Sequence, residues 1–430
     1  MPAEIRAPSR LAFALLILAG FAAWDDALAD GADLFAPSWE TGQAMDAARA
    51  LPASAFYDVS PDGAAAGSLV RAEAFSGYEL PPGVTSLRIL YHTRTADGRD
   101  AIASAVVLLP YGNPPKDGWP LIAWSHGTSG VARACAPSLM KSLFYNWEGL
   151  YEYVSLGYAV VATDYAGLGT AGRHAYLDME SNGTDVVYSV PAAHAAAPQL
   201  GRKWIAVGHS QGGVSVLGVA QIEGRLRDPD FLGTVSLSGA SDLEDAIDSA
   251  TTVDQPVLNG LMAFIVFGVK TLSAEFEPRD VLGENALAVY DASIEKGCSA
   301  ASGAFASVPT ARMFKRGWKA NPYVKRLLER DRPGARPIHG PVFLVGGSSD
   351  VMFTESAGTK VFQRLCASGA IVRRSLYPGL GHDAVVYGSL KDQMAWIAGR
   401  FAGNPAPSDC AVPAAGSSLP AASADRHWTF

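Results

Sequence analysis

The sequence predicts an α/β fold, with a mainly parallel central sheet and a helical cap inserted between two of its strands. Three observations predict it. Short apolar runs, each closed by glycine or a polar turn, recur along the chain. Helix-like stretches separate most of them, the pattern of strand–helix–strand units in a parallel sheet. The gap from Ala240 to Pro341 is too long for a structureless loop and contains its own apolar helix-like segment. The chain has 430 residues, 49% hydrophobic and 18% charged, which is a globular composition with ample material for a core. Its formal net charge of -8, without a long acidic or basic block, excludes nucleic acid as an expected partner.

The N-terminal segment carries Arg6 and Arg10 before the apolar run "LAFALLILAGFAAW" (Leu11 to Trp24), followed by Ala27-Leu28-Ala29. A basic start, a short apolar run and a small-x-small site describe a signal peptide, residues 1–29, cleaved after Ala29. The run falls short of the roughly 20 apolar residues a spanning helix needs. A secreted or periplasmic location follows. In that setting the four cysteines, Cys135, Cys298, Cys366 and Cys410, predict two disulfides, with three pairings open. No two of them are close enough in sequence for a zinc motif, and no metal is expected.

The elements follow in order. "SLRILYHTRTADGRDAIASAVVLLP" (Ser86 to Pro110) holds two β-like runs around Asp97-Gly98, a hairpin that adds an antiparallel edge to the sheet. Core strands are expected in "WPLIAWSHG", "GYAVVATDYAGLG", "KWIAVGHS", "GTVSLSGA", "PVFLVGGSSD" and "IVRRSLYPGLGH". Several are near-continuously apolar, as strands buried on both faces should be. The core is thus read as residues 30–240 and 337–402, with 241–336 as the cap and 403–430 as an Ala/Pro/Ser-rich tail, poorly ordered past Cys410. Within the cap, "VLNGLMAFIVFGVKTL" (Val257 to Leu272) is too interrupted to span a membrane and too apolar for an open loop. It either packs the cap's own core or lines an acyl site with a face carrying Phe264 and Phe267.

The stretch "VGHSQGG" carries the chemistry. "GHSQG" fits G-x-S-x-G, directly after the strand "WIAV" and before the helix-like "GVSVLGVAQIEGRL". That setting makes Ser210 a nucleophile at a strained strand–helix turn. A serine hydroxyl needs a base. Of eight histidines (92, 126, 174, 194, 209, 339, 382 and 427), His382 lies in the glycine-rich loop "YPGLGHD" after the last strand. His339 precedes a strand and His427 lies in the tail. The acid that orients the imidazole is expected to be Asp350, at the end of the strand "VFLVGGSSD". Asp242 is its rival, and Glu355 and Asp383 are weaker ones because neither ends a strand. The oxyanion hole should use the backbone N–H of Gln211 and that of Thr128 in "HGTSG".

With these residues in place, the chain resembles the secreted lipases of the α/β-hydrolase superfamily, in their Candida antarctica lipase A-like, bacterial branch. The resemblance rests on "AWSHGTSGVARACAPS", "VVATDYAGLGTAGRHAYLD", "VGHSQGG", "VGGSSDVMF" and "YPGLGHD", and covers most of the mature chain. It implies an α/β-hydrolase core with a helical cap, and hydrolysis of esters or triacylglycerols without a cofactor. It implies a triad of Ser210, Asp350 and His382, and bridges Cys135–Cys298 and Cys366–Cys410. The expected partner is an ester or lipid substrate, with any lipid interface met through the cap. Acyl transfer to another alcohol would use the same three residues. A secreted peptidase would also need a site for a peptide terminus, which the sequence does not display. A non-catalytic binding protein would have no use for the intact set.

Overall fold

The computed structural model describes residues 36–410, apart from 53, 145–148 and 254. The signal-peptide reading of 1–29 and the tail past Cys410 lie outside these residues.

Nine strands form one sheet: β1 (Leu69–Ala74), β2 (Thr85–Arg94), β3 (Asp100–Leu109), β4 (Trp119–Ser125), β5 (Ala159–Thr163), β6 (Leu200–His209), β7 (Phe231–Leu237), β8 (Val342–Gly347) and β9 (Val372–Tyr377). Their order is β1-β2-β3-β5-β4-β6-β7-β8-β9. From β5 to β9 every pairing is parallel, whereas β1–β2, β2–β3 and β3–β5 are antiparallel. The Asp97-Gly98 turn joins β2 to β3 in the register Arg94↔Asp100, as its hairpin signal predicts. β4 and β7 are buried along almost their whole length, which explains their unbroken apolar character. β1 has no counterpart among the strands expected from the sequence: its residues are half-buried or exposed, so no hydrophobic alternation marks it.

Helices cover both faces of the sheet. Met179–Ala196 and Gln211–Leu226 pack together, and at their crossing a Cβ on Gly218 would lie 2.2 Å from the carbonyl oxygen of Met179. Between β7 and β8 the chain forms the α-helices Leu243–Thr252, Asn259–Leu272, Glu284–Ser293, Ser299–Ala304 and Pro322–Arg330, linked by short 3-10 turns. An N-terminal helix, Trp39–Arg49, closes on this excursion. Its Asp46 carboxylate accepts the N–H groups of Cys298, Ser299 and Ala300 (2.8, 2.9 and 3.2 Å), where a negative charge suits a helix start. That helix was not expected from the sequence, because it buries only a glycine, Gly42. Among the described residues, no helix is long and apolar enough to cross a membrane.

Both implied bridges are present, Cys135–Cys298 and Cys366–Cys410, with Cα–Cα distances of 5.5 and 5.4 Å. The first fastens the loop after β4 to the helical excursion. The second pins the start of the tail, where the Asp409 N–H donates to Val372 O (2.7 Å) and its carboxylate pairs with Arg373 (2.8 Å). The stretch 403–410 is therefore docked on the edge strand β9. Removing Cys135–Cys298 by paired serine substitutions is expected to lower stability by about 2–5 kcal/mol. Its sequence separation of 163, against 44 for the other bridge, makes its loss the costlier by about 1 kcal/mol in the chain-entropy account. Urea unfolding of the two double variants measures the difference.

Candidate active site

Because β4 through β9 are parallel, their C-terminal ends share one edge of the sheet, where open α/β sheets build their sites. β6 ends at His209, and Ser210 follows with φ 56° and ψ −120°, a left-handed backbone that a non-glycine residue adopts only when its surroundings impose it. Two glycines impose it. A Cβ on Gly208 would lie 2.4 Å from Gly212 O, and one on Gly212 would lie 1.8 Å from Ser125 O. Only bare backbone lets strand and helix meet this closely. The Ser210 N–H is tied to Leu237 O at the end of β7 (3.0 Å). The hydroxyl is left at the N-terminus of the helix Gln211–Leu226.

The loop after β9 brings His382 to it. His382 Nε2 lies 2.9 Å from Ser210 Oγ, and Nδ1 lies 2.9 Å from Asp350 Oδ2. The other Asp350 oxygen accepts the N–H groups of Met352 (3.0 Å) and Phe353 (2.9 Å). Burial alone would raise the Asp350 carboxyl; the charge and hydrogen bond of His382 and the two N–H groups outweigh it and pull the carboxyl down to about 2. The His382 ring sits between Phe353, stacked at 5.4 Å, and His209 at 4.9 Å. His209 Nε2–H donates to the His382 carbonyl (3.1 Å). In the sequence His209 is one histidine among eight, and nothing there signals this contact.

The rival carboxylates lie elsewhere. Asp242 forms a two-pronged pair with Arg364 (2.7 and 2.8 Å). Glu355 is exposed in the first turn of the helix Glu355–Ala367. Asp383 lies 3.8 Å from His209 Nε2. Asp350 is the carboxylate that meets His382.

Thr128 and Gln211 both border the cavity next to Ser210. The Thr128 hydroxyl is hydrogen-bonded to Tyr176 OH (2.7 Å). Gln211 opens its helix, where backbone N–H groups have no partner in the preceding turn. The far end of the cavity is apolar, formed by Leu243, Ile247, Leu261, Met262 and Ile265. Phe264 and Phe267 do not border it. Phe264 packs edge-on against Tyr176 (5.7 Å), and Phe267 lies under the Arg173 guanidinium (3.9 Å). The helix Asn259–Leu272 thus faces the cavity with a different side from the one anticipated.

Among the described residues, two groups of side chains come close enough to share a metal ion: His209, His382 and Asp383, and Asp62, His92 and Asp100. In the first, His382 already directs both nitrogens at Asp350 and Ser210. In the second, His92 directs its nitrogens at Asp100 (2.9 Å) and Asp62 (3.3 Å), and Arg94 occupies Asp100 as well (2.6 Å). These are hydrogen-bonded clusters, and a cation would have to displace those bonds.

The strand order and the strained strand–helix turn define an α/β-hydrolase. Within that class the chain belongs to the secretory lipase family, whose model matches residues 145–409. It is a hydrolase of the lipase and esterase kind. Candida antarctica lipase A has a similar structure, with a TM-score of 0.68 at 15% identity, covering 84% of this chain and 89% of that one. The rice cell wall degrading esterase LipA from Xanthomonas oryzae gives 0.64 at 19% identity, over 79% and 98%. At these identities the likeness is one of fold. No curated protein matches the chain in sequence.

Proposed function

We propose that the protein is a secreted serine carboxylic-ester hydrolase, a lipase acting through an acyl-enzyme, with Ser210, His382 and Asp350 as its triad. The observation that carries this reading is the pair of 2.9 Å contacts that runs from Ser210 Oγ through His382 to Asp350. Ser210 Oγ attacks the ester carbonyl while His382 Nε2 accepts its proton. The oxyanion that forms is received by the N–H groups of Gln211 and Thr128. His382 passes the proton to the leaving alcohol, then activates a water that cleaves the acyl-enzyme. Asp350 fixes the imidazole tautomer and stabilises its charge. A fluorophosphonate ester should add to Ser210 with one-to-one stoichiometry, read by peptide mass; labelling elsewhere, or none in a folded protein, would refute the triad.

In this reading residues 241–336 form a cap, and its apolar cavity receives the acyl chain. The matched family and the two disulfides support action in an oxidising compartment, with residues 1–29 as the export signal. Each buried methylene contributes about 0.8 kcal/mol, roughly a fourfold gain in kcat/KM per carbon while the cavity lasts. The specificity constant on p-nitrophenyl esters should therefore climb from acetate to butyrate. Met262→Asp or Ile265→Asp should flatten the climb and spare acetate, whereas an unaltered chain-length profile in both folded variants would remove the acyl role from this cavity.

A further inference from the structure

We propose that His174 and Asn182 are positioning residues for the oxyanion hole, acting through the side chain of Gln211. The inference rests on the triad reading above and adds a role to two residues outside it. The hydrogen bonds fix one another's direction. Asn182 Nδ2 donates to Ala175 O (3.1 Å), so its Oδ1 is turned to Gln211 and accepts from Gln211 Nε2 (3.0 Å). The second hydrogen on that nitrogen points to His174 Nε2 (2.9 Å), which must therefore carry no proton. His174 keeps its hydrogen on Nδ1, facing Ala166 O (3.3 Å). Burial, with the nearby His126, holds the His174 imidazole down at about 3, so it stays the neutral acceptor this network needs.

Both acceptors are rigid. The His174 ring is fully buried and stacked on Tyr165 at 5.5 Å. Asn182 is buried in the first turn of the helix Met179–Ala196. The Gln211 carbonyl oxygen Oε1 is buried without a hydrogen-bond partner among the described residues, so the amide is oriented by its NH2 alone. Gln211 directly follows the strained Ser210, and its N–H is the proposed oxyanion donor. Anchoring the side chain fixes the direction of that N–H. The same loop reaches the other donor, since Tyr176 holds the Thr128 hydroxyl.

His174→Phe keeps the stacked ring and removes the acceptor; Gln211→Met removes the amide; His174→Gln restores an acceptor. On p-nitrophenyl butyrate, His174→Phe and Gln211→Met should each lower kcat about 30- to 100-fold with KM within about twofold, up to the lower end of the roughly 100- to 1,000-fold cost of losing an oxyanion donor outright. Affinity for butylboronic acid, which forms a tetrahedral adduct on serine, should fall by a matching factor. The double variant should be no slower than the slower single, and His174→Gln should recover most of the rate. Should His174→Phe not fold, Asn182→Leu gives the same reading. If kcat holds, or the two losses multiply, or boronate affinity is unmoved, the positioning role is refuted while the triad stands. A wild type that neither hydrolyses esters nor takes a fluorophosphonate on Ser210 refutes the triad and this inference with it.

Discussion

Ser210→Ala is expected to reduce kcat/KM on ester substrates by several orders of magnitude and to leave the fold intact. The hydroxyl is the atom that would form the acyl bond, and alanine offers no substitute. The substitution removes one partly exposed oxygen from a backbone held by Gly208, Gly212 and the bond to Leu237 O, none of which depends on Oγ. His382→Ala should cost about as much, because residues acting as one unit do not contribute additively. Combining the two should add little to either. Circular dichroism and a melting curve establish that the variants are folded; turnover of Ser210→Ala within tenfold of the parent would reassign the nucleophile.

Asp350→Asn should be almost as severe, about 10⁴-fold in kcat, because an amide cannot hold the imidazole tautomer that accepts the serine proton. Asp242→Asn should change kcat little. Asp242 pairs with Arg364 and faces no imidazole, so its loss should appear as lower stability. A reversal of the two phenotypes would move the acid to Asp242. The pH dependence follows from the same contacts. The Asp350 carboxyl is held near 2, below its ordinary 3.8, so the hydrogen bonds to its charged form contribute to stability above about pH 4. That contribution is lost as pH falls through about 2. Between pH 5 and 8 Asp350 keeps its charge. The profile of log kcat/KM should show no step from this carboxyl in that window, and Asp350→Asn should not be rescued at any pH within it.

Much of this was legible in the sequence because burial writes itself into composition. β4 through β8 carry near-continuous apolar runs since both faces are covered, and their glycine-rich ends mark the sheet edge that holds Ser210, Asp350 and His382. β1 and the helix Trp39–Arg49 bury too little to leave such a record. The helix Asn259–Leu272 fails for the opposite reason. Asn259 through Val269 are all buried, so no polar face sets its phase, and Phe264 could not be distinguished from Ile265 as the cavity side. His174 was visible only as a histidine. Its contact with Gln211 crosses from the loop after β5 to the turn after β6, and side-chain direction is not encoded by spacing over that distance.

The two bridges join the first cysteine to the second and the third to the fourth. The covalent loops therefore neither cross nor nest. A chain that meets an oxidising compartment N-terminus first presents its thiols in pairing order. When Cys135 and Cys298 have both arrived, they can close before Cys366 and Cys410 compete for either. Sequential oxidation would give the native connectivity directly, whereas wrongly joined pairs need slow exchange steps. Consecutive pairing is thus the connectivity that oxidation in chain order favours.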